Sequence, residues 1–453
     1  MMSIDRRRRL SAGQERLWFL QRLTGASGLY NEYACARISG RLNMAAMCQA
    51  LTEIMRRHES LRWVVQDDRG SCVAIARDDP FPDWLQIVNL DQITDDPERE
   101  RMYRRYATEA TQLPFDLTAG PLCRVLLFRF SQCKFAIAVV MHHIISDAWS
   151  MHILVEDLCR TYRTMSCGTP GAWAEADYNP NCGSSTEGDE HLHYWIEKLA
   201  HPPQPVLLPI HRPWPAVRTF AGAKKYFTLE ANASASLRIR TREAHMTSFI
   251  YLLALWTAYL GMVAGARDLV IGTTTGGRHD KGTERLIGFF VNTLAIRTEI
   301  RPSDSFTQYL KQVRAITLDA LDHREARFER VVQVLQLPRQ PNRQPLFEVM
   351  FVYVNTPVLD LALEGVEVRL SPEDIAVGLS KFGLVISFWE DGTSIRGLID
   401  YSLELYDSSE IGAHVTQFQQ FVSRTVNQPD QPLSELLSTS RVPLSIVEEL
   451  RSI

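Results

Sequence analysis

Two histidines close an apolar run, and an aspartate stands four residues after the second, in KFAIAVVMHHIISDAWSMHILVEDLCRTY. This is the stretch whose residue types and spacing can do chemistry. An apolar surround can hold an imidazole neutral, ready to accept a proton, and free backbone N–H groups where a helix begins can meet a developing oxyanion. His143 is the natural base candidate. A plainer reading fits the same letters, with Asp147 as the helix N-cap and both histidines as satisfied core or turn residues. The H-x-x-x-D pattern is short and decides nothing by itself.

Residues 135–145 are nearly continuous in apolar side chains, as in a strand covered on both faces, and Ile153, Val155, Leu158, Cys159 and Tyr162 predict an amphipathic helix over 149–165. Helical spacing recurs in NMAAMCQALTEIMRRH and at about 97–112, 188–199, 247–264, 303–321 and 408–426. Strand-like runs lie between these, among them PLCRVLLFRF, DLVIGTTT, LFEVMFVYVN, KFGLVISFWE and SIRGLIDYSL. The expected class is α/β. Residues 165–189 gather Gly, Pro, Asn and Ser with no apolar face, which predicts a linker or mobile surface loop between an N-terminal lobe, 1–175, and a C-terminal lobe, 176–453.

With 49 basic and 53 acidic residues in 453, the net charge of −4 offers a polyanion no general attraction, so nucleic acid is not an expected partner. The eight cysteines form no C-x-x-C pair, so neither a zinc site nor a disulfide framework is expected, and a reducing, cytoplasmic setting fits. The N-terminus, MMSIDRRRRLSAGQERLWFL, lacks the unbroken apolar run of a signal peptide. Arg6 to Arg9 read as a solvated arm. Residues 249–266 carry no charge, but Thr257, two Gly and two Tyr interrupt them, no basic cluster flanks them, and DLVIGTTT follows directly, so a core helix is expected and no membrane.

The histidine segment resembles the HHxxxDG core motif of the condensation domains of nonribosomal peptide synthetases. Other core motifs follow the family's order: SAGQERLWFL (11–20) resembles the first, RHESLRWVV (57–65) the second, IGFFVNTLAIR (287–297) the fifth, HREARFE (323–329) the sixth and NRQPLFEVMF (342–351) the seventh. The resemblance covers nearly the whole chain. It implies two chloramphenicol-acetyltransferase-like lobes forming a V-shaped pseudo-dimer with the histidine motif between them. It also implies condensation of an acyl or aminoacyl thioester with an acceptor amine or hydroxyl, giving an amide or ester in natural-product biosynthesis. No bound cofactor is implied, because a peptidyl or acyl carrier protein supplies the phosphopantetheine arm. The acceptor would be a small molecule or itself carrier-bound, and the protein a monomer.

By the same resemblance His143 takes the acceptor's proton or orients its nucleophile, and His142 packs. Asp147 holds the loop with Arg278 of TTTGGR as partner and Arg62 of RHESLR as further support, while Ala148, Trp149 and Ser150 border the acceptor channel and oxyanion region. Carrier proteins are usually acidic, which makes a docking patch the alternative reading of Arg6 to Arg9. With no adenylation or carrier segment in the chain, a free-standing enzyme served by its carrier in trans is expected if these 453 residues are the whole gene product, and an excised first domain of a larger synthetase would look the same.

Three departures stand out: Ala148 replaces the motif's glycine, Gly383 of SKFGL replaces an aspartate and should alter the cavity of the second lobe, and the fourth motif is not recognisable beyond HYWIEKLA (193–200). A coenzyme-A-dependent HxxxD acyltransferase is one alternative, although the DFGWG segment of its plant-type members is missing. A degenerate condensation-like recruitment domain is another, and such domains typically lose the second histidine, which is present here.

Overall fold

The structure, a computed structural model, describes residues 7–23, 27–68, 71–78, 81–168, 189–209, 212–278, 282–338, 342–355, 363, 365–371, 374–375 and 378–438. Its first elements are β1 (Arg7–Arg9), α1 (Ala12–Leu23), β2 (Asn31–Gly40), α2 (Met44–Arg57), β3 (Trp63–Asp68), β4 (Ser71–Ala76), β5 (Leu85–Asn89), α3 (Asp96–Gln112), β6 (Cys123–Arg129), β7 (Lys134–His142) and α4 (Ala148–Ser166). Then come α5 (Asp189–Lys198), β8 (Gly222–Thr228), α6 (Ala231–Glu243), α7 (Ser248–Ala264), β9 (Asp268–Gly276), β10 (Val291–Glu299), α8 (Phe306–Asp322), α9 (Phe328–Leu335), β11 (Val349–Tyr353), β12 (Val366–Leu370), β13 (Leu384–Asp391), β14 (Ser394–Ser402), α10 (Ser408–Asn427) and α11 (Leu433–Ser438).

The chain divides into two units, the first made of 1–186, 276–291 and 356–377 and the second of the remainder. The expected boundary at 175/176, and most of the loop expected over 165–189, lie outside the described residues. The second half of the chain is not one uninterrupted lobe, because 276–291 and 356–377 group with the first unit. Backbone pairing explains the second of these segments, since β12 lies antiparallel to β2.

The first unit holds a five-stranded sheet, ordered β12-β2-β7-β6-β5, and a three-stranded sheet, β1-β4-β3. β7 is central and buried from Phe135 to His142, which is why its sequence does not alternate. Its pairing with β2 sets Asn31 opposite His142, so the catalytic candidates leave the sheet at a fixed register. Arg37 of β2 donates to Asp374 at 2.7 Å and, through two nitrogens, to Glu100 at 3.0 and 2.6 Å, tying the returning segment to α3. Arg7 to Arg9 are a strand rather than a solvated arm: β1 pairs with β4, and Arg8 makes a two-point contact with Glu59 at 3.1 and 3.2 Å.

The second unit holds a six-stranded sheet, β10-β9-β11-β13-β14-β8. α7 is buried continuously from Ile250 to Gly261, capped by Thr247 and ended by Gly265 in the left-handed conformation (φ 67°). It is the expected core helix, and no single helix among the described residues is long and apolar enough to cross a membrane.

Candidate active site

β7 ends at His142, a single 3₁₀ turn carries His143 to Ile145, and α4 begins after Asp147. His142 is fully buried and its Nδ1 accepts the Ile144 N–H at 3.1 Å, so that ring is fixed in the turn that presents its neighbour. His143 is oriented by the Ser146 carbonyl, 2.7 Å from its Nδ1. A carbonyl only accepts, so Nδ1 carries the proton and the neutral ring keeps Nε2 as its proton-accepting nitrogen. The His143 side chain is 20% exposed, and Phe289 meets its ring edge to face at 5.0 Å.

Asp147 caps α4 and does more. One carboxylate oxygen accepts from the Ser150 N–H (2.7 Å), the Ser150 hydroxyl (2.7 Å) and the Arg278 guanidinium (2.8 Å), and the other accepts from the Phe290 N–H at 3.2 Å. Arg278 also donates to the carbonyls of Thr283 and Leu286 at 2.5 and 2.7 Å and lies over the Phe290 ring at 4.2 Å. This buried pair therefore fastens residues 282–290 to the start of α4 and sets Phe289 against His143.

Sequence reasoning placed Arg62 and Ser150 wrongly. Arg62 does not reach Asp147; its fork donates to the carbonyls of Met55, Arg56, Arg77 and Asp78, because it lies where α2 ends and its last carbonyls need donors. Ser150 is fully buried, its N–H is used by Asp147, and its hydroxyl sits among Asp147, Arg278 and the backbone of Gly288, so it borders no channel. Ala148 is exposed at the first position of α4. Trp149 donates its indole N–H to the Glu284 carbonyl at 3.0 Å and, with Arg57 and His152, lines a cleft of about 160 Å³.

Two supporting residues had a readable signal that was missed. Ser11 and Gln14 form a capping box, S-x-x-Q, and the same Gln14 amide donates to the Ile144 carbonyl at 2.9 Å, fastening α1 to the histidine turn. Gly13 leaves room for Phe289, whose ring a Cβ would meet at 2.7 Å. Glu32 had no such signal: β2 brings its carboxylate to 3.7 Å from His143 Nε2.

The sequence model of the condensation domain family matches residues 5–442. The chain belongs to that family. The domain is 34% identical over 441 residues to part of a linear gramicidin synthase of Brevibacillus parabrevis, covering 95% of this chain and 6% of that protein. It is 33% identical over 440 residues to malpinin synthetase of Mortierella alpina, again 95% of this chain and 6% of the relative. It thus spans a small fraction of the curated proteins it resembles. Among solved structures, the first condensation domain of the calcium-dependent antibiotic synthetase aligns with TM-score 0.79 at 20% identity, covering 96% of this chain and 99% of that one. The X-domain from teicoplanin biosynthesis aligns with TM-score 0.83 at 22% identity, covering 96% and 98%. The α/β, chloramphenicol-acetyltransferase-like fold expected from the motifs is therefore the fold this condensation domain has.

Its departures from the motif pattern have different physical outcomes. The place of the fourth motif, 169–188, lies outside the described residues, whereas HYWIEKLA forms most of α5, with Trp195 donating to the His323 carbonyl at 2.9 Å and Tyr194 stacked on the His323 ring at 3.9 Å. Gly383 opens no cavity: a Cβ there would stand 2.7 Å from Leu207 and 3.3 Å from Leu405. Its N–H donates to Glu348 at 3.2 Å, a carboxyl whose pKa burial pushes up. Gly383→Asp would crowd Leu207 and set a second carboxyl beside a buried one, so we expect a loss of about 1–3 kcal/mol in thermal or urea unfolding. An unchanged midpoint would contradict this packing.

Behind the site, α4 is held to α2 by Asp157, which accepts from His58 Nε2 at 2.8 Å and pairs with Arg57 at 3.2 Å. Burial opposes ionisation, but the His58 bond and the Arg57 charge outweigh it, and the Asp157 pKa lies below its ordinary 3.8. A depressed carboxylate stabilises the fold above its unfolded-state value and loses that contribution as pH falls through the depressed one. Asp157→Asn should cost about 2 kcal/mol at neutral pH and flatten the fall of stability below pH 3.8, read by urea titration across pH.

Proposed function

We propose that this condensation domain joins a carrier-tethered acyl or aminoacyl thioester to an acceptor amine or hydroxyl, with His143 handling the proton. The single observation that carries the reading is the 2.7 Å contact from His143 Nδ1 to the Ser146 carbonyl, which leaves Nε2 to accept. In this reading the acceptor gives its N–H or O–H proton to Nε2 as its lone pair attacks the thioester carbonyl. The tetrahedral intermediate collapses with loss of the phosphopantetheine thiolate, which takes the proton back from the imidazolium. The thioester arrives activated, so the protein's task is alignment and proton transfer. The donor is a peptidyl or acyl carrier protein, and its arm is substrate rather than a resident cofactor.

Mixing acyl-loaded carrier protein with amine and alcohol acceptors, and following carrier mass, tests this. Return of the carrier to its unloaded mass together with an acylated acceptor is expected. Transfer only from an acyl-coenzyme A, or binding of carrier with no acceptor-dependent transfer, would overturn it in favour of an acyltransferase or a recruiting domain. We also place the exposed Ala148 methyl at the acceptor entrance. Ala148→Gly should raise turnover of bulky acceptors relative to slim ones, and unchanged selectivity would remove that assignment.

A further inference from the structure

The cleft of about 160 Å³ beside Trp149 lies within the first unit and takes no part in the proton chemistry proposed for His143. Helix α4 lines it with Trp149, His152, Ile153 and Glu156, and the 282–290 segment lines it with Glu284 and Arg285. Arg57 and Asp157 also border it and are paired with each other at 3.2 Å. The charges of Glu156, Glu284 and Arg285 are different. All three residues are exposed, and among the described residues none of their side chains has an ion pair or a hydrogen bond. His152 Nδ1 is buried with no hydrogen-bond partner among the described residues, and its ring stands 5.8 Å from that of Trp149. The Trp149 indole N–H is taken by the Glu284 carbonyl, so the indole offers the cleft apolar surface rather than a donor.

These groups call for a ligand of both signs. A simple cation would lie beside Arg285, and a simple anion beside Glu156 and Glu284, like charge against like in each case. A small zwitterion with an apolar part meets every wall. We propose that this cleft binds a free α-amino acid with an apolar or aromatic side chain. The Arg285 fork takes the carboxylate, both of whose oxygens it can reach at once. The ammonium has three N–H groups, enough for Glu156, Glu284 and His152 Nδ1. The ligand's side chain covers Trp149 and Ile153. The site goes beyond the condensation reading and does not depend on it, although the segment that supplies Glu284 and Arg285 also sets Phe289 against His143.

Isothermal titration calorimetry of the intact chain tests this with L-phenylalanine and L-leucine, beside L-phenylalaninamide, which lacks the carboxylate, and N-acetyl-L-phenylalanine, which lacks the ammonium. One site per chain is expected, with a Kd of about 1 mM or tighter for at least one of the two amino acids. The amide and the N-acetyl form should bind about tenfold or more weakly, and Arg285→Met and Glu156→Gln should weaken the amino acid as much. Both substituted residues are exposed, so the core is untouched. The Trp149 indole N–H signal, assigned by its loss in Trp149→Phe, should move during the titration of wild type. No saturable binding of either amino acid overturns the proposal. So does an amide that binds as tightly, which would make the cleft a cation site, or an N-acetyl form that does, which would make it an anion site. Binding that survives both variants, or leaves the Trp149 signal in place, lies elsewhere and overturns it too. None of these outcomes bears on transfer at His143.

Discussion

His143→Ala is expected to lower acyl transfer by about 10²–10⁴-fold, the range a positioned general base supplies, while acyl-loaded carrier protein still binds. The separation of rate from fold follows from where the ring sits. It is partly exposed, the Ser146 carbonyl anchors its Nδ1, and the Phe289 ring stands nearly perpendicular to it. Removing it leaves that carbonyl short of a donor, a stability cost of about 1–3 kcal/mol. His142→Ala should do the reverse. That ring is fully buried, meets Phe115 edge to face at 6.3 Å and accepts the Ile144 N–H, so its loss opens a cavity under the turn and lowers the unfolding midpoint before it touches chemistry. Retained turnover in His143→Ala would contradict the assignment, as would an activity loss matched by loss of folded protein.

The largest stability effect is expected at Arg278 and Asp147. Both side chains are almost fully buried, so removing one member leaves the other charge in low dielectric with its hydrogen bonds unmade. Arg278→Met is expected to cost about 3–5 kcal/mol and to release the carbonyls of Thr283 and Leu286 as well. Asp147→Asn keeps one acceptor oxygen and the α4 cap but loses the charge, so its cost should be smaller, and pairing it with Arg278→Met should recover part of the loss. Urea unfolding followed for the first unit, with a double-mutant cycle, measures this. Additive costs would show that the two side chains do not act as a pair. Because the carbonyls that Arg278 holds lie in 282–290, the segment that sets Phe289 against His143, Arg278→Met should lower activity in step with the local unfolding.

Strong periodicity made much of the fold legible. β7 and α7 were readable because burial on every side leaves an apolar run with no alternation, and α4, α8 and α10 because one face alone is buried. β8 and α6 were not, since the middle of GAKKYFT is half-buried without alternation and ANASASLRIRTRE has Ser234 and Thr241 at two of its four buried positions. The pairing of β12 with β2 joins residues more than 300 positions apart and leaves no local trace. At the site, the H-x-x-x-D spacing pointed to His143, Asp147 and the helix start. Arg62 was misplaced because an arginine's reach says nothing of its direction, and at the end of α2 the unsatisfied carbonyls are nearer than any carboxylate. Ser150 was misplaced because position three of a capped helix faces the cap, not solvent. Glu32 could not be read at all: its nearness to His143 comes from the sheet register, which brings together residues 111 positions apart.

Everything proposed for the chemistry turns on one tautomer: Ser146 fixes His143 with its proton on Nδ1, so that Nε2 does the accepting. Nitrogen-15 NMR of histidine-labelled protein above the imidazole's titration reads that tautomer directly, with the His143 signals assigned by their disappearance in His143→Ala. A pyrrole-type, protonated Nδ1 and a pyridine-type Nε2 are expected. A ring protonated on Nε2, or an even mixture of the two tautomers, would contradict the assignment of Nε2 as the base.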